Sequence, residues 1–403
     1  MLWSIGAIDV NAPSLERMGL LLAGLALAAL ALRATLGVRA DRRPGPLVAR
    51  AAGGHGPLVA LADRSLGPLV ALYALAIGAS ERLERELLVD GSDVVRATKE
   101  SLEVLLAGSN PYAHALQSTI PPGSPLVYGP GELFFYLPAH VLTGDIGRVE
   151  TWAGILTVAL LGLAGLRVGF ERAALPAMLY ATWGIAAFRT TDGGNDVAAA
   201  VPVVAGLVAL AFVDFPGRPG RVAFALSAAL LGWALAFKQF AVLVVPLVLR
   251  HLAVTGAPWR RYALATAGVT AAFDLPFLAW DPGAFLSQHV VRALTNHRET
   301  WGANLMHTLL RLDPGTDRLE GAFFAAEVAL TLGALALLVR WRIPTLGAAA
   351  LAAAGLVALP LLLARWTTQS YYVYAATVAL AGLALIELRA APRESATRPA
   401  SLP

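Results

Sequence analysis

Apolar runs alternate with short arginine-bearing connections along almost the whole chain. Crossing ~30 Å of hydrocarbon takes about 20 residues of helix, and many of the runs approach that length. Met18 opens MGLLLAGLALAALALRATLGV, Phe323 opens FFAAEVALTLGALALLV and Pro344 opens PTLGAAALAAAGLVALPLLLA. The first is too long for the core of a signal peptide, and no small-residue cleavage site follows it, so it reads as a retained span. The pattern places spans near 18–38, 58–80, 151–168, 173–189, 196–214, 221–237, 240–252, 261–279, 320–340, 343–364 and 371–389. It predicts an all-α polytopic membrane protein with about eleven transmembrane helices, within a range of roughly 10–13.

Two polar interruptions break this pattern, at 81–150 and 280–319. In the first, DVVRATKESLEVLLAG puts Val95, Leu102, Leu105 and Leu106 on one helical face, and Arg96, Lys99, Glu100 and Glu103 on the other. That periodicity predicts a helix lying on the membrane surface, apolar side down. Ser92 suits its N-cap, Asp93 falls in its first turn, and Gly108 with Asn110-Pro111 ends it. IPPGSPLVYGPGELFF is too rich in proline and glycine for regular structure. The apolar stretch ELFFYLPAHVLT, 132–143, is too short for a span and suits an interfacial or re-entrant helix. In the second interruption, His289 and Arg292, then Arg298 and Trp301, recur at helical spacing and suggest another surface helix.

Composition agrees with a lipid environment. Of 403 residues, 57% are hydrophobic and 14% charged, with a mean hydropathy of +0.64, whereas soluble domains carry roughly a quarter charged residues. There is no cysteine, which excludes disulfides and thiolate metal sites, and the net charge of +4 gives no sign of nucleic-acid binding. Arginines cluster at Arg39, Arg42, Arg43 and Arg50; Arg167 and Arg172; Arg218 and Arg221; Arg250, Arg260 and Arg261; Arg340 and Arg342; and in the tail. Placed on the cytoplasmic side, they predict an N-terminus outside, a C-terminus inside and an odd number of crossings in a cell (plasma or inner) membrane. The parity closes if 132–143 does not cross; otherwise a short segment such as 240–252 does not. The chain then divides into N-terminal spans (1–80), a large extracytoplasmic loop (81–150), a core module (151–279), a second such loop (280–319), C-terminal spans (320–389) and a disordered cytoplasmic tail (390–403).

This topology gathers the unusual polar residues on the extracytoplasmic face: TTDGGND after Arg189, the KQ at Lys238 and RWTTQS from Arg365. A lysine inside an apolar segment is costly and marks function by default; its alternative reading is a side chain snorkelling from a span end. Arg189 and Arg365 carry the same two readings. Asp93 is a candidate base or simply an acid favoured by a helix dipole, and Asp90 is a second candidate or a solvated loop acid. Asp192 and Asp196 could orient a substrate, pair with Arg189 or cap a helix. His297 and Arg298 could contact sugar or phosphate, or belong to an interfacial belt. No dense carboxylate cluster argues for a metal; metal independence is expected, with a divalent cation left open.

Taken in order, Asp93, Gly108-Ser-Asn110-Pro111-Tyr112, Tyr128-Gly-Pro130, Gly193-Gly-Asn195 and Lys238 resemble the polyprenyl-phosphate-sugar-dependent glycosyltransferases of the GT-C fold, particularly the bacterial alpha-mannosyltransferase-like branch. The resemblance covers roughly residues 85–280. Two features depart from it: an extra span precedes the first loop, and Gly194, in the 190–196 loop, stands where glutamine is more usual. The resemblance implies transfer of a hexose, mannose-like, from a polyprenyl-phosphate carrier to a hydroxyl of a glycolipid, glycan or protein, with inversion. It implies Asp93 as base, and Asn110, Tyr112, Tyr128, Asn195 and Lys238 at the substrates. The chemistry suits these residues: a phosphate leaving group needs no acid, so one carboxylate suffices as base, with cations held at the phosphate. A transporter or flippase would also place charges within spans, but it tends to show interrupted helices in two corresponding halves, and no such repeat is visible. A non-catalytic scaffold is the third class, and it predicts that Asp93 is replaceable.

Overall fold

The structure is a computed structural model that describes residues 57–85, 92–213, 218–292 and 300–386. The predicted span at 18–38, Asp90, His297, Arg298 and the 390–403 tail lie outside the described residues.

The fold is a bundle of apolar helices. Helix α1 is Pro57–Leu83, α2 is Asp93–Leu106, α3 is Pro130–Thr143, α4 is Val149–Leu163 and α5 is Phe170–Thr182. Then come α6, Asp196–Ala211; α7, Arg218–Phe237; α8, Ala241–Thr255; and α9, Trp259–Trp280. After a π-helical turn at Leu286–Val291 follow α10, Leu305–Leu312; α11, Glu320–Arg340; α12, Leu346–Leu363; and α13, Gln369–Ala384. Among the described residues, six segments are long and apolar enough to cross a membrane, and α6 and α8 are shorter apolar helices. At 14 residues, α3 is ~21 Å long at 1.5 Å per residue, short of the hydrocarbon thickness.

Helix α6 sits at the centre, buried along nearly its whole length and packed against α4, α7 and α13. It is apolar all round, as a fully enclosed helix must be. Helix α11 is also largely apolar, with Glu327 within it, yet has no buried residue, and Leu337 on it is 67% exposed. Its surface is satisfied by lipid, as in a multi-pass membrane protein. Lipid tails give helices no hydrophobic reason to associate, so close packing over small residues does that work. A Cβ at Gly382 would stand 3.0 Å from the Gly347 carbonyl oxygen, which is how α12 and α13 come together.

Three expectations are corrected. The stretch 173–189 is not one helix: α5 ends at Thr182, Trp183 is extended (φ −74°, ψ 102°), and a short turn Gly184–Phe188 follows. Helix α2 buries Ala97, Thr98, Ser101 and Leu102, leaving Leu106 56% exposed; its partner is α3, whose acid Glu132 meets Thr98. The region around Trp301 is not helical. Trp301–Gly302 forms strand β1, parallel to β2 at Trp366–Thr367. Gly302 has φ +105°, and a Cβ there would lie 2.0 Å from the Thr367 oxygen, so only glycine fits. Asn304 then caps α10 by accepting from the His307 amide at 2.7 Å.

Candidate functional site

Several turns meet at one end of the bundle. The first is Tyr128-Gly-Pro-Gly-Glu132. The Gly129 amide donates to the Phe237 carbonyl at 3.2 Å, and Trp233 Nε1 donates to the Gly131 carbonyl at 2.7 Å. A Cβ on Gly129 would lie 2.0 Å from the Ala236 oxygen, and one on Gly131 would lie 2.7 Å from the Ala236 carbonyl carbon. The two glycines therefore let this turn rest directly on the end of α7, one residue before Lys238. Pro130 occupies the first turn of α3, where a missing N–H costs nothing.

The second turn is the 189–196 loop. Its start at Arg189 is ion-paired to Asp192 and donates to Gln369 Oε1 at 3.2 Å. Asp192 Oδ1 accepts from the Gly194 amide at 3.0 Å, closing the turn. Gly193 packs against α2, where a Cβ would stand 2.8 Å from the Val95 Cβ. Asn195 has φ +54°, the one non-glycine residue with positive φ among the described residues. Left-handed backbone is uncommon for such residues and clusters at functional sites.

Lys238 turns inward rather than snorkelling. It is 3% exposed, donates to Asn195 Oδ1 at 2.7 Å and is ion-paired to Asp196. Its Nζ lies 5.2, 5.4 and 5.0 Å from the ring centroids of Tyr128, Phe240 and Tyr371, close enough for cation–π attraction.

Asp93 is half-buried at the first position of α2, and its Oδ2 accepts from the Ile120 amide at 2.8 Å. Burial pushes the Tyr128 phenol well above its ordinary value, and the charges of Tyr371, Glu132, Asp196 and Asp93 push the same way. Helix α2, which begins at Asp93, reaches this centre through Val95 against Gly193 and through Thr98, which donates to Glu132 Oε1 at 3.0 Å.

Glu132 is the residue that sequence reasoning missed. It is fully buried, and its Oε1 accepts from Asn195 Nδ2 at 2.7 Å and Thr98 Oγ1 at 3.0 Å. Burial raises its carboxyl to about 7, against the opposing effects of Asn195, Thr98 and Lys238. The signal was present: an acid in ELFFYLPAHVLT is as costly in an apolar segment as Lys238 is in its own. Asp192 is likewise raised by burial, with the Arg189 charge opposing.

The other candidates spread around this centre. Asn110 caps the Pro111–Ala113 turn by accepting from the Tyr112 amide at 3.0 Å. Tyr112 is buried among Phe277, Phe285 and His289, and its hydroxyl donates to the Tyr128 carbonyl at 2.8 Å. Arg365 is ion-paired to Glu320, and its carbonyl accepts from Asn304 Nδ2 at 3.2 Å. The β2 residues carry the chain from there to Gln369, the partner of Arg189. Among the described residues, no three His, Asp or Glu side chains gather where a metal ion could be held.

No protein-family model and no curated protein matches the sequence. Solved structures do match. Apo ArnT from Cupriavidus metallidurans gives a TM-score of 0.51 at 18% identity, covering 80% of this chain and 59% of that one. ArnT from the same organism bound to undecaprenyl phosphate gives 0.49 at 16% identity, covering 78% and 58%. The Archaeoglobus fulgidus oligosaccharyltransferase, in complex with Zn and sulfate, gives 0.44 at 16% identity, covering 78% and 48%. The match to apo ArnT is one of fold: the chain is an all-α membrane protein with the GT-C fold. It spans about three-fifths of the length of the ArnT chains it matches.

Proposed function

We propose that the protein is an integral membrane glycosyltransferase that moves a hexose, mannose-like, from a polyprenyl-phosphate carrier to an acceptor hydroxyl on the extracytoplasmic side. The observation that carries this reading is that α2, with half-buried Asp93 at its start, meets the loop whose Asn195 holds the buried cation Lys238. The fold adds support, since apo ArnT is among its structural neighbours at a TM-score of 0.51. The arginines support the sidedness. At the other end of the bundle, Arg250 donates to the carbonyls of Arg340 and Trp341, gathering two of the basic clusters that the loop-charge rule makes cytoplasmic.

In this reading the acceptor hydroxyl attacks the anomeric carbon while Asp93 takes its proton. The bond from anomeric carbon to phosphate oxygen breaks, and the electron pair leaves on the lipid phosphate, so no acid is required. Asp93 suits the role of base because the Ile120 amide holds Oδ2 and fixes the carboxylate, so that Oδ1 is the oxygen to take the proton. Lys238, Arg189 and Arg365 offset the charge left on the phosphate. Each is ion-paired to a carboxylate, Asp196, Asp192 and Glu320 respectively. The phosphate therefore enters by taking the place of an acid beside at least one of these cations.

The test is transfer by purified protein in detergent, with a polyprenyl-phosphate-linked mannose as donor. A positioned base is worth about 10²–10⁴-fold, so Asp93→Asn should lose transfer by that factor while remaining folded. Full transfer by the variant would remove Asp93 from the mechanism.

A further inference from the structure

Neither base nor phosphate ligand, Glu132 is nevertheless the most enclosed acid of the polar cluster. Its Oε1 alone makes both of its contacts, to Thr98 on α2 and to Asn195 in the 189–196 loop. Its Oε2 has no hydrogen-bond partner among the described residues. Thr98 lies five positions beyond Asp93 on the same helix. Asn195 holds Lys238 through its Oδ1 and Glu132 through its Nδ2, so its carboxamide is pinned at both ends. That pinning holds a non-glycine residue at φ +54°. The unbroken chain of contacts is α2, Thr98, Glu132, Asn195, Lys238, Asp196.

We propose that Glu132 is a positioning residue that locks α2 to the Asn195 turn and thereby fixes Asp93 relative to Lys238. Its kinetic consequence rests on the glycosyl-transfer reading; its structural consequence rests on the geometry alone. Without Glu132, the Asn195 side chain loses its Nδ2 acceptor, its Oδ1 is no longer held towards Lys238, and α2 is no longer tied to the loop at Thr98. Because both contacts run through one oxygen, a carboxamide, which also carries one oxygen, keeps them. Glutamine at this position should therefore preserve the lock, and alanine should break it.

The chain contains two lysines, Lys99 and Lys238. In a Lys99→Arg background, reductive methylation with labelled formaldehyde, read by mass spectrometry on the peptide carrying Lys238, reports how well that amine is held. Glu132→Ala should methylate at Lys238 at least about tenfold faster than the background protein, as expected of a locally opened site. Its kcat with the mannosyl donor should fall about 10²-fold, the cost of a misplacement near 1 Å, with KM changed far less. Glu132→Gln should match the background protein in both readouts. Thr98→Val, a milder change, should lower kcat and leave Lys238 labelling slow, because only the α2 side of the lock is cut. Wild-type labelling and kcat in Glu132→Ala would overturn the proposal, as would a Glu132→Gln protein that behaves like Glu132→Ala. If Glu132→Ala does not fold, an unchanged kcat in Thr98→Val overturns it. If no donor supports transfer by the wild type, the glycosyl-transfer reading fails, and the labelling comparison still decides whether the lock exists.

Discussion

Replacing Asp196 by asparagine should lower stability and raise affinity for lipid phosphate at the same time. Asp196 is 1% exposed and is the carboxylate ion-paired to Lys238, which is 3% exposed. At a charge-assisted contact of ~2.8 Å and an effective dielectric near 20, the attraction is about 6 kcal/mol before desolvation is subtracted. Removing one partner of such a buried pair costs about 3–5 kcal/mol, because the remaining charge has lost its counterion. In a chain of this size each kcal/mol shifts the midpoint by roughly 2 °C, so the variant should melt about 6–10 °C lower in detergent. The aromatic rings about Lys238 soften the loss and argue for the lower part of that range.

A phosphate that docks on Lys238 competes with Asp196 in the wild type and meets no such competitor in the variant. Added undecaprenyl phosphate should therefore raise the midpoint of Asp196→Asn more than that of the wild type. Saturation to about 100 times Kd gives ~2.7 kcal/mol of stabilisation, a shift that thermal scanning resolves. Lys238→Met should abolish the difference between the two backgrounds. Equal ligand-induced shifts in wild type and Asp196→Asn would refute the assignment of Lys238 to the phosphate. An unchanged midpoint in Asp196→Asn, with additive effects in the Asp196→Asn/Lys238→Met double variant, would refute the pairing itself.

Gly131→Ala would push a Cβ to 2.7–2.9 Å from the backbone of Ala236 and Phe237, an overpacking cost of about 1–3 kcal/mol; a lower melting temperature and slower transfer should follow, and full activity would refute the close approach. Gly154→Ala should be comparably destabilising, because its Cβ would meet Arg82 Nε at 2.7 Å, and Arg82 cannot withdraw while it donates to the carbonyls of Gly78, Tyr180 and Ala181. Burial raises the Glu100 carboxyl, but donation from Ser118 and Gln117 outweighs it and leaves the group below its ordinary value. Its contribution is therefore complete above the usual carboxylate range of ~4.3 and lost as pH falls through the lower folded value; exchange at the Gln117 and Ser118 amides should rise over that acid window, and Glu100→Gln should remove the step.

How far the fold was legible follows from what each segment packs against. Span positions were readable because lipid and protein interior both demand apolar residues, and α6, α7, α9, α11 and α12 begin or end within a few residues of expectation. The buried face of α2 was readable in part. Leu102 is buried and Val95 and Leu105 pack against the core, as their spacing indicates, but the face extends to Ala97, Thr98 and Ser101, where α3 presents Glu132. The break at Trp183 left no mark either, because apolar residues run through it. What holds the break is Arg82, one of a pair of arginines at 82 and 85 in ERLERELL that looks like any loop cation. In the structure it is fully buried and donates to the carbonyls of Tyr180 and Ala181 at the end of α5.

Lys238 stands out in the sequence and Glu132 does so less, although one physical rule applies to both. A charge in an apolar run is conspicuous by its solvation cost, which a sequence displays at a single position. That rule selects Lys238 and would have selected Glu132 equally. What no single position displays is the partner that offsets the cost, which comes from segments distant in the chain: Asn195 lies 63 residues from Glu132 and 43 from Lys238. A buried charge without partners is expelled or neutralised, so each conspicuous charge implies others facing it. The productive inference from such a sequence is therefore a cluster rather than a list. Lys238, Asn195, Asp196 and Glu132, from segments distant in the chain, meet in this way at one end of the bundle, where Gly129 and Gly131 admit the backbone contact that brings Glu132 to them.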